Sequence, residues 1–293
     1  MSNAEIDAIR EMLRARPRPA GLAERRERLD GLSAAFTLPA DIRTEAVLAS
    51  GVPAEWTWSP AAEPDRVMLF LHGGGYVSGS LRSHRHMVAE AGRQARARTL
   101  ALDYRLAPEH PFPAALEDAV AAYRWLLAGG FDPARIILAG ESAGGGLALA
   151  TLLSLRGAGD ALPGCVWCSS PWVDLTMSGS TMTSKAAVDP LIGRGYLQEL
   201  AAMYLNGTDP RGPLVSPVNA DLRGLPPLLI QVGSAETLLG DAVALAARAG
   251  ESDVATTLEV WPEMIHAWHL FHPQLGAGRD ALAAVGRFTA RHG

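Results

Sequence analysis

Short apolar runs alternate with helix-like segments along most of the chain, and this alternation limits the possible folds more than any other feature. Runs with the length and composition of buried strands span residues 66–71, 99–103, 135–139, 165–169, 228–232 and 256–261. Apolar residues recur at helical spacing in residues 113–128, 143–155, 238–249 and 279–291. The pattern predicts an α/β fold, with a mostly parallel sheet covered by helices on both faces.

Two further strands and one helix are predicted before this region. Residues 43–49 and 52–58 are strand candidates separated by Ser50-Gly51, which is typical of a hairpin. They bring the expected sheet to eight strands. Residues 4–16 carry Ile6, Ile9 and Leu13 at helical spacing, so this helix needs a surface to cover.

A long interval interrupts the alternation near the middle of the chain. Residues 174–225 separate two predicted strands by much more than a usual crossover, and residues 195–205 within the interval have a helical pattern. An insertion at the carboxyl edge of a parallel sheet lies where ligands bind. The interval therefore predicts a lid or cap.

The pentapeptide Gly140-Glu141-Ser142-Ala143-Gly144 has the form G-x-S-x-G. It follows an apolar run that ends at Ala139 and precedes a helical run that begins near Ala143. Strand, sharp turn and helix are the context of a nucleophile elbow, in which a strained turn exposes the serine hydroxyl. Ser142 is the predicted nucleophile, and an ordinary glycine-rich turn is the alternative interpretation.

A second glycine-rich segment, His72-Gly73-Gly74-Gly75, follows the predicted strand 66–71. It matches the HGGG oxyanion loop of lipases and esterases, whose backbone N–H groups stabilise the oxyanion of acyl transfer. A phosphate-binding loop is the competing interpretation. The segment lacks the Gly-Lys-Ser/Thr of such loops, which argues against nucleotide binding.

Together with the segment from Asp103 to Ala114 (DYRLAPEHPFPA), these motifs resemble the hormone-sensitive-lipase-like family of bacterial carboxylesterases, from about His72 to the C-terminus. The resemblance implies the α/β-hydrolase fold and oxyanion donors at Gly74, Gly75 and Ala143. It also implies a cap made of the N-terminal helices and the insertion. We therefore expect cap helices in residues 1–42, a catalytic domain in residues 43–293 and a second cap segment at about 176–222.

The order serine, acid, histidine in this fold predicts the rest of a catalytic triad. His266 follows the last predicted strand and is the candidate base. After residues 228–232 come two acidic candidates, Glu236 and Asp241. Glu236 is preferred because it lies at the strand exit, whereas Asp241 falls in the next helix, where a solvated carboxylate is a simple explanation. The commonest family pattern has Asp at this position, so Glu236 is a departure.

Other histidines suggest a rival, metal-dependent hydrolase. His84 and His86, or His269 and His272 beside His266, are spaced so that they can ligate a metal. No matching acidic cluster lies nearby in sequence, and a metal mechanism leaves both glycine motifs unexplained. We predict no metal and no cofactor, and we interpret His269 and His272 as packing and surface residues.

The leading functional hypothesis is hydrolysis of carboxylic esters through an acyl-enzyme on Ser142. The resemblance implies short to medium acyl chains. A lactone hydrolase with the same triad is the alternative, because the cap decides which esters fit. A binding protein on the same fold is a further hypothesis, although Ser142 and His266 are both present.

Charge and composition restrict the partners. The chain has 26 basic and 31 acidic residues and a net charge of -5, which argues against nucleic acid and anionic membranes. No apolar run approaches the length of a spanning helix, so a cytoplasmic protein acting on a small-molecule ester is expected. Cys165 and Cys168 are predicted to be buried thiols on opposite faces of a strand. A homodimer through the last strand is a further hypothesis.

Overall fold

The computed structural model describes residues 4–16, 18–34 and 36–292. The strands are β1 (Arg43–Ala49), β2 (Val52–Trp58), β3 (Glu63–Leu71), β4 (Ala97–Leu102), β5 (Ile136–Glu141), β6 (Cys165–Ser169), β7 (Leu228–Gly233) and β8 (Thr256–Trp261). The helices are α1 (Ala4–Arg14), α2 (Leu22–Ala34), α3 (Leu81–Ala95), α4 (Ala114–Ala128), α5 (Ala143–Ala158), α6 (Thr181–Ser184), α7 (Arg194–Leu205), α8 (Leu239–Glu251) and α9 (Gly276–His292).

The strands form one sheet in the order β1-β2-β4-β3-β5-β6-β7-β8. The predicted hairpin of β1 and β2 is confirmed, and β2 also pairs antiparallel with β4. All other neighbouring strands from β4 to β8 are parallel. The strand order reverses around β3, which leaves a crevice at the carboxyl ends of β3 and β5, the usual place for a ligand in such a sheet.

Alternate residues of the central strands enter two separate cores, one on each face of the sheet. Leu69 of β3 packs in the core beneath α4, α5 and α8, whereas Phe70 packs in the core beneath α3 and α9. Cys168 and Cys165 divide in the same way, and both are free and buried. The predictions of a doubly covered sheet and of thiols on opposite faces are therefore confirmed.

Helix α1 covers the loops at the carboxyl edge of β7 and β8. Its apolar stripe of Ile6, Ile9 and Leu13 packs in a third cluster with Ile265 and Trp268. The stripe therefore buries the segment that carries His266. No helix within the described ranges is long and apolar enough to cross a membrane.

Helix α3 was not expected from the sequence. Its buried face contains Met87 and Val88, but polar residues, glycine and alanine make up the rest of it, including His84 and His86. Ser80 caps its N-terminus by accepting the N–H groups of residues 82 and 83. Tertiary contacts rather than an apolar pattern hold this helix in place.

Candidate active site

Ser142 lies in a tight turn between β5 and α5. Its backbone adopts φ 54° and ψ -118°, outside the regions that L-residues usually occupy. The turn is held because its amide donates to the carbonyl of Ser169 at 2.8 Å and its carbonyl accepts from Trp172 at 3.0 Å. A Cβ on Gly140 would lie 2.1 Å from the carbonyl oxygen of Gly144, so only glycine fits there. The local geometry is that of a nucleophile elbow.

The structure brings Ser142, His266 and Glu236 together from three strand ends. The Oγ atom of Ser142 lies 2.9 Å from Nε2 of His266, and Nδ1 of His266 lies 3.0 Å from Oε2 of Glu236. All three residues are buried. The chain of contacts allows the imidazole to accept the serine proton while the carboxylate fixes the imidazole orientation.

Two groups hold Glu236 in place. Its Oε1 accepts the backbone N–H of Gly233 and, at 2.8 Å, the hydroxyl of Ser170. Burial raises the pKa of Glu236, while the hydrogen bond with His266 acts in the opposite direction. Burial lowers the pKa of His266, but the hydrogen bond and charge of Glu236, followed by the charge of Glu141, outweigh it and raise this pKa above the ordinary value.

Asp241, the alternative acid, makes different contacts. It lies in the first turn of α8, as expected, but it is buried and not solvated. Its Oδ2 accepts the backbone N–H groups of Val173 and Asp174, each at 3.0 Å. Burial raises the pKa of Asp241 to about 8. The prediction of a solvated surface carboxylate is therefore wrong: the side chain holds the loop after β6.

The segment predicted as the oxyanion loop follows β3 and passes beside the elbow. Gly74 and Gly75 have φ values of 113° and 66°, and a Cβ on Gly74 would lie 2.3 Å from the carbonyl oxygen of Ser78. Within the described part of the chain, neither glycine amide donates a hydrogen bond. The amide of Ala143 begins α5 and has no acceptor within its helix. These donors are available to an oxyanion.

His72 supports this loop through its ring and its carbonyl. Its Nδ1 donates to the carbonyl of Gly73 at 2.8 Å, and its ring stacks on Tyr104 with the ring centroids 4.1 Å apart. The hydroxyl of Tyr104 donates to the carbonyl of His72 at 2.7 Å. Burial lowers the pKa of His72 to about 3, so the ring is neutral.

Glu141 and His84 form a second buried pair beside the nucleophile. Oε2 of Glu141 lies 3.1 Å from Nε2 of His84, and Oε1 lies 3.6 Å from Nε2 of His266. Oε1 has no hydrogen-bond partner among the described residues. Nothing in the sequence indicated the contact of Glu141 with His266.

The other histidines that the sequence offered as metal ligands are engaged in hydrogen bonds. His86 contacts the carbonyl of Phe36 at 2.6 Å, and His269 lies between Ser169 and Gln231. His272 contacts the carbonyl of His269. Both His269 and His272 are buried, so the expectation of surface positions is wrong. Residues 4–16, 18–34 and 36–292 contain no group of three residues suited to hold a metal ion.

Above the elbow lies a cavity of about 310 Å³. Ser142, His266, Gly74 and Gly75 line its floor, and the walls come from α1, α2, α7 and the segments beside them. The wall residues include Leu29, Leu32, Ile192, Tyr196 and Leu200. A largely apolar cleft that ends at an activated hydroxyl can bind a small acyl compound.

Comparison with known proteins identifies the family. The family model described as alpha/beta hydrolase fold matches residues 68–270. A solved esterase from the bacterial hormone-sensitive lipase family is 48% identical, with a TM-score of 0.97, over 100% of this chain and 99% of the other. The chain belongs to the hormone-sensitive-lipase-like family. The fold and the family predicted from the sequence are thus confirmed.

Curated relatives within this family carry hydrolase names. An acetyl-hydrolase of Streptomyces hygroscopicus is 46% identical over 98% of this chain and 97% of the relative. An esterase of Acinetobacter venetianus is 32% identical over 89% of this chain and 86% of the relative. The similarity to the acetyl-hydrolase extends across the regions of α1, α2 and the insertion, well beyond the motifs.

Two residues that hold Glu236 or its neighbour in place were not predicted from the sequence. Ser170 donates to Glu236, and Asp189 accepts from the backbone and the hydroxyl of Thr237, next to Glu236. The pair Asp189-Pro190 indicates a local turn, because a short acidic side chain before a proline often accepts nearby N–H groups. No signal in the sequence indicated its contact across 48 positions with Thr237.

Proposed function

We propose that this family member hydrolyses carboxylic esters of short to medium acyl chain length through an acyl-enzyme on Ser142. The observation that carries the proposal is the 2.9 Å contact between Ser142 Oγ and His266 Nε2, continued by the 3.0 Å contact between His266 Nδ1 and Glu236. The cavity of about 310 Å³ supports small acyl groups.

In the acylation step, Oγ of Ser142 attacks the ester carbonyl while Nε2 of His266 takes its proton. The carbonyl oxygen becomes an oxyanion that accepts N–H bonds from Gly74, Gly75 and Ala143. His266 then delivers the proton to the leaving alcohol, and the acyl group stays on Ser142. Glu236 keeps Nδ1 protonated and stabilises the imidazolium.

In deacylation, water takes the place of the alcohol. Nε2 of His266 accepts a proton from water, and the resulting nucleophile attacks the acyl carbon. The same backbone donors stabilise the second oxyanion. Return of the proton to Ser142 releases the carboxylic acid and restores the free enzyme.

The cap is part of this proposal. We propose that residues 1–42 and about 176–222 form it, over a catalytic domain of residues 43–293. Support comes from Leu29 and Leu32 of α2 and Tyr196 and Leu200 of α7, which line the cavity opposite the floor. In that arrangement the cap sets which acyl chains fit.

The test uses p-nitrophenyl esters of increasing chain length and one lactone. Wild-type protein is expected to favour short to medium open-chain esters, and Ser142→Ala is expected to lose about 10⁶-fold in turnover while remaining folded. Ser184→Ala, an exposed serine of the insertion, is the matched control. Preference for the lactone would instead assign a lactone hydrolase to the same triad.

A fluorophosphonate probe separates an enzyme from a binding protein. We expect it to label wild type and Ser184→Ala but not Ser142→Ala, as shown by intact-mass analysis. Folded wild-type protein that takes no label would favour the binding protein.

The cytoplasmic location and the homodimer stay predictions. Strand β8 lies at the sheet edge, and Val260 on it is 43% exposed. Equilibrium sedimentation of wild type and a Val260→Glu variant therefore tests the dimer.

A further inference from the structure

Five arginines line the cavity that contains Ser142. They come from one short stretch at the end of α1, the connection and the first half of α2: Arg14, Arg16, Arg18, Arg25 and Arg28. A wall of guanidinium groups is unusual for an apolar acyl pocket, because each cationic group loses hydration when a neutral chain covers it. The composition of this wall therefore points to a polar ligand group.

The charges on this part of the chain are segregated. Glu11, Glu24 and Glu27 lie on the same helices, yet none of them lines the cavity. Among described residues, the one carboxylate in the lining is Glu141, which is paired with His84 beside the nucleophile. A cleft whose outer wall carries charges of one sign concentrates ligands of the opposite sign.

Two of the arginines are held in position before any ligand arrives. The guanidinium of Arg18 lies 3.4 Å from the ring centroid of Tyr196 and donates to the carbonyl of Leu191. Arg25 donates to the carbonyl of Pro19 at 2.9 Å and to Glu199 at 2.8 Å. An ordered guanidinium loses little further freedom on binding a carboxylate, which favours recognition.

The surroundings of Arg18 favour an added negative charge. Burial lowers its pKa, Tyr196 and the charge of Glu199 raise it, and repulsion by the charges of Arg25 and Arg28 lowers it. A carboxylate placed among these groups would relieve this repulsion. The arginines are therefore more than isolated surface charges.

We propose that these arginines form a subsite for an anionic group, so that the preferred substrates are esters that carry a carboxylate in the part that reaches the wall formed by residues 14–28. This inference rests on the proposed ester hydrolysis at Ser142. The triad cleaves the ester bond, and the arginine wall selects esters by charge.

The experiment compares matched esters that differ in one charge. For a charge in the alcohol part, 4-acetoxybenzoate is compared with 4-acetoxybenzamide. For a charge in the acyl part, the mono-4-nitrophenyl ester of suberic acid is compared with its ω-carboxamide. In at least one pair, kcat/KM of wild type is expected to be about tenfold higher for the anion, mainly through KM, and the ratio should decrease at high ionic strength.

Two variants test the assignment to the arginines. Arg14→Gln/Arg16→Gln removes two exposed cations, and Arg18→Gln removes the cation that stacks on Tyr196. Each variant should lower the anion-to-neutral ratio at least threefold. Arg18→Lys should retain part of the preference, because it keeps the charge and loses the planar fork. Arg124→Gln is the control, since it removes the same charge from α4, where Arg124 pairs with Asp160.

The outcomes are distinguishable from failure of the proposed function. Loss of all ester hydrolysis in Ser142→Ala, together with no anion preference in either pair, would retain the esterase and overturn the subsite. A preference that survives in both the double variant and Arg18→Gln would also overturn it. Hydrolysis of every ester by Ser142→Ala at the wild-type rate would instead overturn the proposed function.

Discussion

The side-chain Oδ2 of Asp241 accepts the backbone N–H of Val173 at 3.0 Å. The same oxygen accepts the N–H of Asp174, so one side chain of α8 satisfies two buried donors in the loop after β6. Glu236, five positions earlier, contacts His266 instead. Two acidic residues close together in sequence thus have separate tasks, one in the architecture and one beside the imidazole.

Substitution of the two acids should therefore give different phenotypes. Glu236→Gln keeps the size of the side chain but presents an amide to Nδ1 of His266, so we expect kcat to decrease about 10²- to 10⁴-fold with little change in Tm. Asp241→Ala leaves two buried N–H groups without an acceptor, which costs about 1–3 kcal/mol each, and should mainly lower Tm.

Steady-state kinetics and thermal unfolding of both variants check this contrast. Asp241→Asn retains an acceptor oxygen and makes the same change from acid to amide, so it serves as the control for the loss of kcat in Glu236→Gln. Full activity in Glu236→Gln, with activity lost in a folded Asp241→Asn, would reverse the assignment of the acid.

The pH dependence of activity should reflect the raised pKa of His266. Only the neutral imidazole accepts the serine proton, so kcat/KM should increase with pH through the pKa of the free enzyme, with a midpoint above 6.5. The Glu141 carboxylate stabilises the imidazolium from 3.6 Å. Glu141→Gln removes that charge, so the midpoint should shift to lower pH.

The pH profiles of wild type and Glu141→Gln measure this shift directly. Glu117→Gln is the charge-matched control, because Glu117 is an exposed partner of Arg105, and its profile should match wild type. A midpoint that stays the same or increases in Glu141→Gln would show that Glu141 does not act on His266.

The sequence predicted features that depend on local pattern. Strand runs, the hairpin and the elbow were predicted because alternating burial and glycine-dependent turns are properties of neighbouring residues. Four strands match the prediction at both ends, and the other four differ by one to three residues at one or both ends. Strand β3 begins at Glu63 rather than at residue 66, because Glu63 pairs with Ala97 of β4 ahead of a bulge although the residues before Val67 form no apolar run. Helix α3 was missed because buried histidines and Ser83 interrupt its apolar side.

Contacts between distant parts of the chain were not predictable in this way. The burial of Asp241 depends on Val173, and the contact of Glu141 with His266 spans 125 positions. An acidic residue in a helix has the same neighbouring sequence whether its side chain is hydrated or accepts hydrogen bonds from backbone N–H groups. Only the assembled fold distinguishes the two cases.

Gly74 and Gly75, the proposed oxyanion donors, should differ in whether a second substitution restores activity. A Cβ on Gly74 would meet the backbone oxygen of Ser78 at 2.3 Å, whereas a Cβ on Gly75 would meet the side chain of Leu200 at the same distance. Gly74→Ala and Gly75→Ala should each lower kcat about 10²- to 10³-fold by displacing N–H donors.

Adding Leu200→Ala tests the difference, because it removes the obstacle at Gly75 alone. We expect Gly75→Ala/Leu200→Ala to regain about tenfold in kcat, limited by the cost of about 1–2 kcal/mol for alanine at positive φ. The matched Gly74→Ala/Leu200→Ala should regain nothing. Equal rescue of both glycine variants would show that Leu200 acts on the cavity as a whole.

Asp189 links the insertion to the loop of the acid. Its Oδ2 accepts from the N–H and, at 3.2 Å, the hydroxyl of Thr237, while its Oδ1 accepts the N–H groups of Leu191 and Ile192, each at 3.0 Å. Because Thr237 follows Glu236 directly, we expect Asp189 to act as a positioning residue for the acid.

Asp189→Ala should therefore lower kcat about tenfold with KM nearly unchanged, since it leaves the buried N–H of Thr237 without an acceptor and loosens the acid loop. Asp189→Asn keeps only one oxygen for two sets of N–H donors, so its kcat should lie between those of wild type and Asp189→Ala. Asp209→Ala, an exposed acid of the insertion paired with Arg211, is the control. An increase in KM at constant kcat would mean that Asp189 shapes the cavity wall through Leu191 and Ile192 and does not position Glu236.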